Sequence, residues 1–173
     1  MTDFQIHPGA PARRKVEGQF ANDLSEAIEL IYPMETDDAR LVWYETSLPL
    51  NYKYDISVLI EDIVEMLEKS LESDVGRVDV NFASNTFNAN WELEIRGDSI
   101  QVKARWNSVV GNCEARLNGH SILLIERSHF FNQWLGILRR VVGDTESARL
   151  RLGDPDLLNR ARELLPRPAQ PVR

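Results

Sequence analysis

ANWELEIRGDSIQVKARW, residues 89–106, reads as a β-hairpin almost residue by residue. Ala89, Trp91, Leu93 and Ile95 take every second position. Gly97-Asp98 interrupts them, and Ile100, Val102, Ala104 and Trp106 resume the alternation. A period of two in both arms buries one face and wets the other. A two-residue turn then sets the register: Trp91 faces Ala104, Leu93 faces Val102, and Glu92 faces Lys103. Large side chains meet small ones inside, and opposite charges meet outside.

Outward from this hairpin, Val78, Val80 and Phe82 alternate in a strand over residues 77–82, and Ser84-Asn85-Thr86 reads as a turn. Asn118-Gly119 carries the strongest short hairpin signal and is expected to join strands over 113–117 and 121–125. Segments 27–34 and 40–50 are rich in Ile, Val, Tyr and Trp and flank the acidic turn Glu35-Thr36-Asp37-Asp38, which suggests another hairpin with Pro33 and Pro49 at edges or ends.

Two helices complete the pattern. Asp55 or Ser57 caps the first, expected over residues 56–73, with Ile56, Leu59, Ile60, Ile63, Leu67 and Leu71 as its apolar stripe. Ser128 caps the second, expected over residues 128–142. Phe130, Phe131, Trp134, Leu135, Leu138, Val141 and Val142 face inward, and Gly143 is the stop. Asp154-Pro155 opens a short third helix whose apolar side is Leu157, Leu158, Ala161, Leu164 and Leu165.

The expected fold is α+β: a single antiparallel sheet of about six strands, two main helices on one face, and a short C-terminal helix. The expected core is Val78, Val80, Phe82, Trp91, Leu93, Ile95, Ile100, Val102, Ala104, Ile63, Leu67, Trp134 and Leu138. Residues 1–24, with Pro8, Gly9, Pro11 and Arg13-Arg14-Lys15, read as a flexible lead. Residues 25–150 form the domain, and 151–173 a short helix with a loose Pro- and Arg-rich tail.

With 173 residues, 43% of them hydrophobic, the chain is long enough for one domain with a real core. The longest apolar runs fall well short of a bilayer span, and no apolar stretch follows the N-terminal bases as in a secretory signal. A single cysteine, Cys113, excludes an intrachain disulfide, and a reducing cytoplasm is the expected compartment. The net charge of −7 is uneven: residues 25–126 hold 19 acids and 8 bases, whereas 127–173 hold 5 acids and 9 arginines. An acidic body repels phosphate, so nucleic acid is not an expected partner, and with apolar runs this short neither is a membrane.

No catalytic constellation stands out. His7, His120 and His129 have neither a carboxylate nor a second histidine at metal-ligand spacing. Cys113 alternates with Ala115 and Leu117, which suits a buried structural thiol. Gly97, Gly111 and Gly119 are turn residues and not a phosphate cradle. Carboxylates are plentiful, but nothing picks one pair as acid and base. No catalytic residue, metal or cofactor is expected.

Two acidic features invite a partner. Glu61, Glu65, Glu68 and Glu72 form a stripe opposite the apolar face of the first helix, with two repelling i,i+4 pairs and only Lys69 to relieve them. A solvated face gives the same pattern. The turn cluster Glu35, Asp37 and Asp38 is the second. Nearby, Trp43, Tyr44, Tyr52 and Tyr54 crowd one segment, and Tyr52 and Tyr54 are candidate interface anchors where a loop displays them.

The order of these parts, with the acidic helix after Leu48-Pro49-Leu50-Asn51-Tyr52, Asn-Gly and Gly-Asp turns, and a strand running into Ser128-His-Phe-Phe-Asn-Gln-Trp134, resembles the small immunity proteins encoded beside bacterial polymorphic toxins. The resemblance spans residues 25–145 and its motif is Ser-x-Phe-Phe-x-x-Trp. It implies a non-enzyme that binds and occludes a cognate toxin domain, with a basic toxin surface meeting the acidic body. The arginine-rich tail departs from that pattern. An acidic chaperone for a secreted effector and an enzyme using unidentified carboxylates are the alternatives.

Overall fold

The structure, a computed structural model, describes residues 3–166. The chain runs β1 (Phe4–His7), β2 (Phe20–Ala21), α1 (Leu24–Ile31), β3 (Ala39–Trp43) and β4 (Thr46–Leu50). A π-helical turn (Tyr52–Ile56) leads into α2 (Ser57–Leu71), followed by β5 (Val75–Ala83), β6 (Phe87–Arg96), β7 (Ser99–Val109) and α3 (Glu114–Gly119). β8 (Ile122–Glu126), α4 (Arg127–Ala148), β9 (Arg151–Leu152) and α5 (Asp156–Leu164) complete it.

The hairpin forms in the expected register. Trp91 pairs with Ala104, Glu92 with Lys103 and Leu93 with Val102. Gly97 takes φ 59, the positive value that the first position of a tight hairpin turn demands. Near its open end the register shifts between Asn88 and Ala89, so Trp106 and Val109 can both face inward. All thirteen expected core residues are buried. They meet Phe4, Trp43, Phe87, Trp106 and Phe130 in a continuous aromatic cluster.

The architecture is α+β, but the strands form three sheets and not one of six: β1-β3-β4, the parallel pair β2-β9, and the antiparallel β5-β6-β7-β8. Segment 27–34 explains much of the difference, because most of it is helix. Leu24, Ala27, Ile28 and Ile31 fall three and four apart and bury one side. Asp23 accepts the Glu26 amide at 2.9 Å, and Glu26 reaches back to the Asn22 amide at 2.7 Å, a reciprocal N-terminal cap. The hairpin before α2 is therefore β3-β4, turning at Tyr44-Glu45, and Pro49 lies on its edge strand.

The Asn118-Gly119 signal does not make a hairpin turn. These residues end α3, and Asn118 instead imitates a strand neighbour: its amide donates to the Trp106 carbonyl and accepts the Trp106 amide, both at 2.9 Å. Cys113, half-buried, precedes α3 and is not on a strand. The π-turn that leads into α2 is capped by Asn51, whose side chain accepts from Lys53 and Tyr54, and α2 itself has no side-chain cap from Asp55 or Ser57. Leu71, expected inside, is exposed. α4 continues through Gly143 to Ala148, where Arg149 in the left-handed region stops it, and Ser128 caps nothing.

Residues 3–24 are not a loose lead. β1 pairs with β3 and sends Phe4 and Ile6 into the core. Its other edge is closed by α4, where Gln133 accepts the Ile6 amide at 2.7 Å and His129 bonds the Phe4 carbonyl at 2.8 Å. Farther along, Arg13 pairs with Asp144 at 2.9 Å, and Tyr32 donates to the same carboxylate at 2.7 Å. Burial and Asp144 push the Tyr32 phenol far above its usual range, so it remains a donor. α5 forms as expected with Leu158 and Ala161 buried, and packs on α4 and α2. The rest of the Pro- and Arg-rich tail, 167–173, lies outside the described residues.

Candidate functional site

The glutamate stripe of α2 is partly spent within the fold. Arg160 of α5 grips Glu68 with a two-pronged contact, 3.1 Å from Nε and 2.6 Å from Nη2. Lys69 pairs with Glu65 at 2.5 Å and holds that carboxyl below its usual range. Glu61 and Glu72 remain exposed. The strain of the helix falls on a residue outside the stripe: partial burial, then Glu61 and Glu65, raise the Asp62 carboxyl above its usual range.

A raised carboxyl in the fold favours the protonated form. Its contribution is present below the unfolded pKa and is lost as pH rises through the folded one. At neutral pH, Asp62→Asn is therefore expected to raise the melting temperature, by about 1–2 °C for a chain of this size. Near pH 3 the gain should vanish. Thermal melts of both proteins across pH 3–8 check this, and equal melts at pH 7 would refute it.

The acidic turn is also tied inward. Asp37 accepts the Ala10 amide at 2.8 Å, and Thr36 accepts the Ala12 amide at 2.5 Å, fastening the N-terminal segment. Asp38 accepts the Asn51 side-chain amide at 2.8 Å through Oδ1; among the described residues Oδ2 has no partner. Glu35 is exposed. Tyr52 is not a displayed anchor. It is fully buried against Tyr32, centroids 4.6 Å apart, and donates to the Pro8 carbonyl at 2.7 Å. Tyr54, two residues later, is 47% exposed.

The π-turn separates these two tyrosines. Its wider loop is closed by Ile56 donating to the Asn51 carbonyl at 3.0 Å, five residues back. Tyr52 and Ile56 stay inside while Tyr54 stands at the rim of a groove of about 650 Å³. Met34 borders the acidic turn that holds Asp38, Val58 comes from α2, Ser84 and Thr86 from the β5-β6 turn, and Val110 from the turn just after β7. Asp55 is only 2% exposed at its base. It accepts from the Asn51 amide at 2.8 Å, from Ser84 at 2.5 Å, and from the Thr86 hydroxyl. Both of its oxygens are thus committed, and it anchors the β5-β6 turn to α2.

The groove gathers Asp38 and Tyr54 from the expected partner residues and leaves the α2 stripe outside. Met34, Val58, Val110 and Asp55 were not anticipated: they come from three separate stretches, with only Asp55 and Val58 on one helical run, so no local periodicity gathers them. A second hollow on the open face of the large sheet is lined by Arg77, Glu92 and Lys103, which pair with one another at 2.9 and 3.2 Å. With Asp79 and Arg105 that lining holds three bases and two acids, whereas the groove is lined by two carboxylates and no base.

Among the described residues, no three His, Cys, Asp or Glu side chains are placed to hold a metal, and no helix is long and apolar enough to cross a membrane. Compared with family models, curated proteins and solved structures, this chain matches none.

Proposed function

We propose that this chain is a non-catalytic immunity protein of the cytoplasm, which binds and occludes a cognate bacterial toxin domain with a basic surface, using the groove at Tyr54 as part of its contact face. It uses no cofactor and acts on neither nucleic acid nor membrane. One observation carries the reading. Of nine large apolar side chains exposed among the described residues, four (Met34, Tyr54, Val58 and Val110) line this one groove, beside the acidic turn. Apolar side chains gathered within a polar rim mark a protein-binding surface. The −11 body supports a basic partner.

The test is co-expression with the product of the adjacent gene. That product alone is expected to arrest growth, and this chain to relieve the arrest and co-purify with it. Val58→Glu plus Val110→Glu should abolish both effects while leaving the melting temperature within about 2 °C, as for exposed positions. Absence of a complex with the unaltered chain would overturn the reading. The chaperone alternative draws on another feature, Ile122 and Leu124 exposed on the edge strand β8. A stable complex without growth arrest by the neighbour would favour it.

A further inference from the structure

We infer that the groove receives a single cationic side chain, lysine or arginine, from its protein partner. The inference rests on the protein-binding reading and specifies what anchors there. Three properties of the groove restrict its occupant. Its walls are apolar along Met34, Val58 and Val110, which suits an alkyl stem. Its charge is negative, from Asp38 and Asp55, with no base among the lining residues to offset it. Lys53, on the π-turn itself, does not line it. Asp38 keeps one oxygen without a partner among the described residues, whereas both oxygens of Asp55 are engaged.

These properties count against an apolar or an anionic occupant. A wholly apolar side chain would cover the Asp38 oxygen without replacing its water. An anion would face two carboxylates. A side chain with an aliphatic stem and a cationic tip meets both demands. The half-exposed ring of Tyr54 adds a π face at the rim where a cation can rest.

The experiment titrates the full chain, labelled with ¹⁵N, with four capped tripeptides. They are acetyl-Leu-Lys-Leu-amide, acetyl-Leu-Arg-Leu-amide, and the counterparts with norleucine or glutamate at the centre. At least one cationic peptide is expected to give saturable shifts at the amides of Tyr54, Val58, Thr86 and Val110. The norleucine peptide should bind about fivefold more weakly, the scale of a partly exposed ion pair, and the glutamate peptide more weakly still. Asp38→Asn keeps an oxygen for the Asn51 amide and removes the charge. It should bring the cationic peptides down to the norleucine level and leave norleucine unchanged.

Equal affinity for the norleucine and cationic peptides, or no saturable shift at these amides with either cation, would overturn the inference. If that happened while Val58→Glu plus Val110→Glu still broke the complex with the neighbouring gene product, the groove would remain a protein contact with a different anchor. If the cationic peptides bound as expected but the neighbour formed no complex, the immunity reading would fail and the cation preference would stand.

Discussion

Trp134→Ala is expected to lower the stability of the fold by about 3–5 kcal/mol, the cost of deleting a large ring from a packed core. Trp134 is completely buried on α4. Its ring centroid lies 6.5 Å from Phe4 of β1, 5.9 Å from Phe82 of β5 and 6.0 Å from Trp91 of β6. One side chain therefore joins the long helix to two separate sheets, and the cavity left by alanine cannot close without moving all three. Against a total of roughly 5–15 kcal/mol, the variant should melt about 10 °C or more below the parent, or fail to accumulate. Trp134→Phe provides the graded control. The indole Nε1 is buried with no partner among the described residues, so phenylalanine gives up area but no hydrogen bond. Urea unfolding should place it between the two. An alanine variant melting within 2 °C of the parent would contradict this packing.

The sequence made Trp134 readable because it belongs to a long element with a strong period. The same holds for Trp91, Leu93, Ile100 and Val102, where eight alternating apolar positions and a tight turn leave one register. Short elements carried less signal. β1 has four residues inside a Pro-rich stretch, and its alternation of Phe4 and Ile6 is too brief to outweigh that composition. In α1, the isoleucines and Tyr32 suggested strand while the three- and four-residue spacing of Leu24, Ala27, Ile28 and Ile31 said helix. There the spacing and the Asp23 cap prevailed. Asn118-Gly119 misled for another reason: the amide of Asn118 was needed across the chain at Trp106, so tertiary pairing overrode the local turn preference.

The site was least legible. Tyr52 and Tyr54 look alike in sequence, yet one donates to a backbone carbonyl in the core and the other lines the groove. What separates them is the five-residue π-turn, and that turn depends on contacts with residues about thirty positions away. Asp55 was legible as a helix-start residue, but its real partners, Ser84 and Thr86, lie on the β5-β6 turn. An acid near a helix start seldom predicts such distant ties, because capping alone accounts for it.

Asp55→Ala should accordingly cost about 2–4 kcal/mol, since it leaves the Thr86 hydroxyl and the Asn51 amide near the groove without this acceptor and leaves Ser84 only its longer contact to the Phe87 carbonyl, 3.2 Å. The bonds are charge-assisted, which makes each stronger than a neutral one, but they share one carboxylate and their losses do not add. Asp55→Asn, which keeps one acceptor oxygen and nearly the same volume, should lie between alanine and the parent. Ser84→Ala removes only one of the donors, although its hydroxyl also receives the Phe87 amide at 2.9 Å, and should cost about 1 kcal/mol. Urea unfolding of the three variants checks that order. Hydrogen exchange locates the damage: in Asp55→Asn the amides of Asn51 and of Phe87, at the very start of β6, should lose protection before those of the rest of the β6-β7 hairpin, because the tie between the β5-β6 turn and the π-turn is cut while the sheet register is untouched. If Asp55→Ala were as stable as the parent, the carboxylate would not be what holds the groove open. The fixed position of Tyr54 would then have to come from the π-turn's own backbone bonds, with Ile56 and Asp55 donating to the Asn51 carbonyl at 3.0 and 2.8 Å.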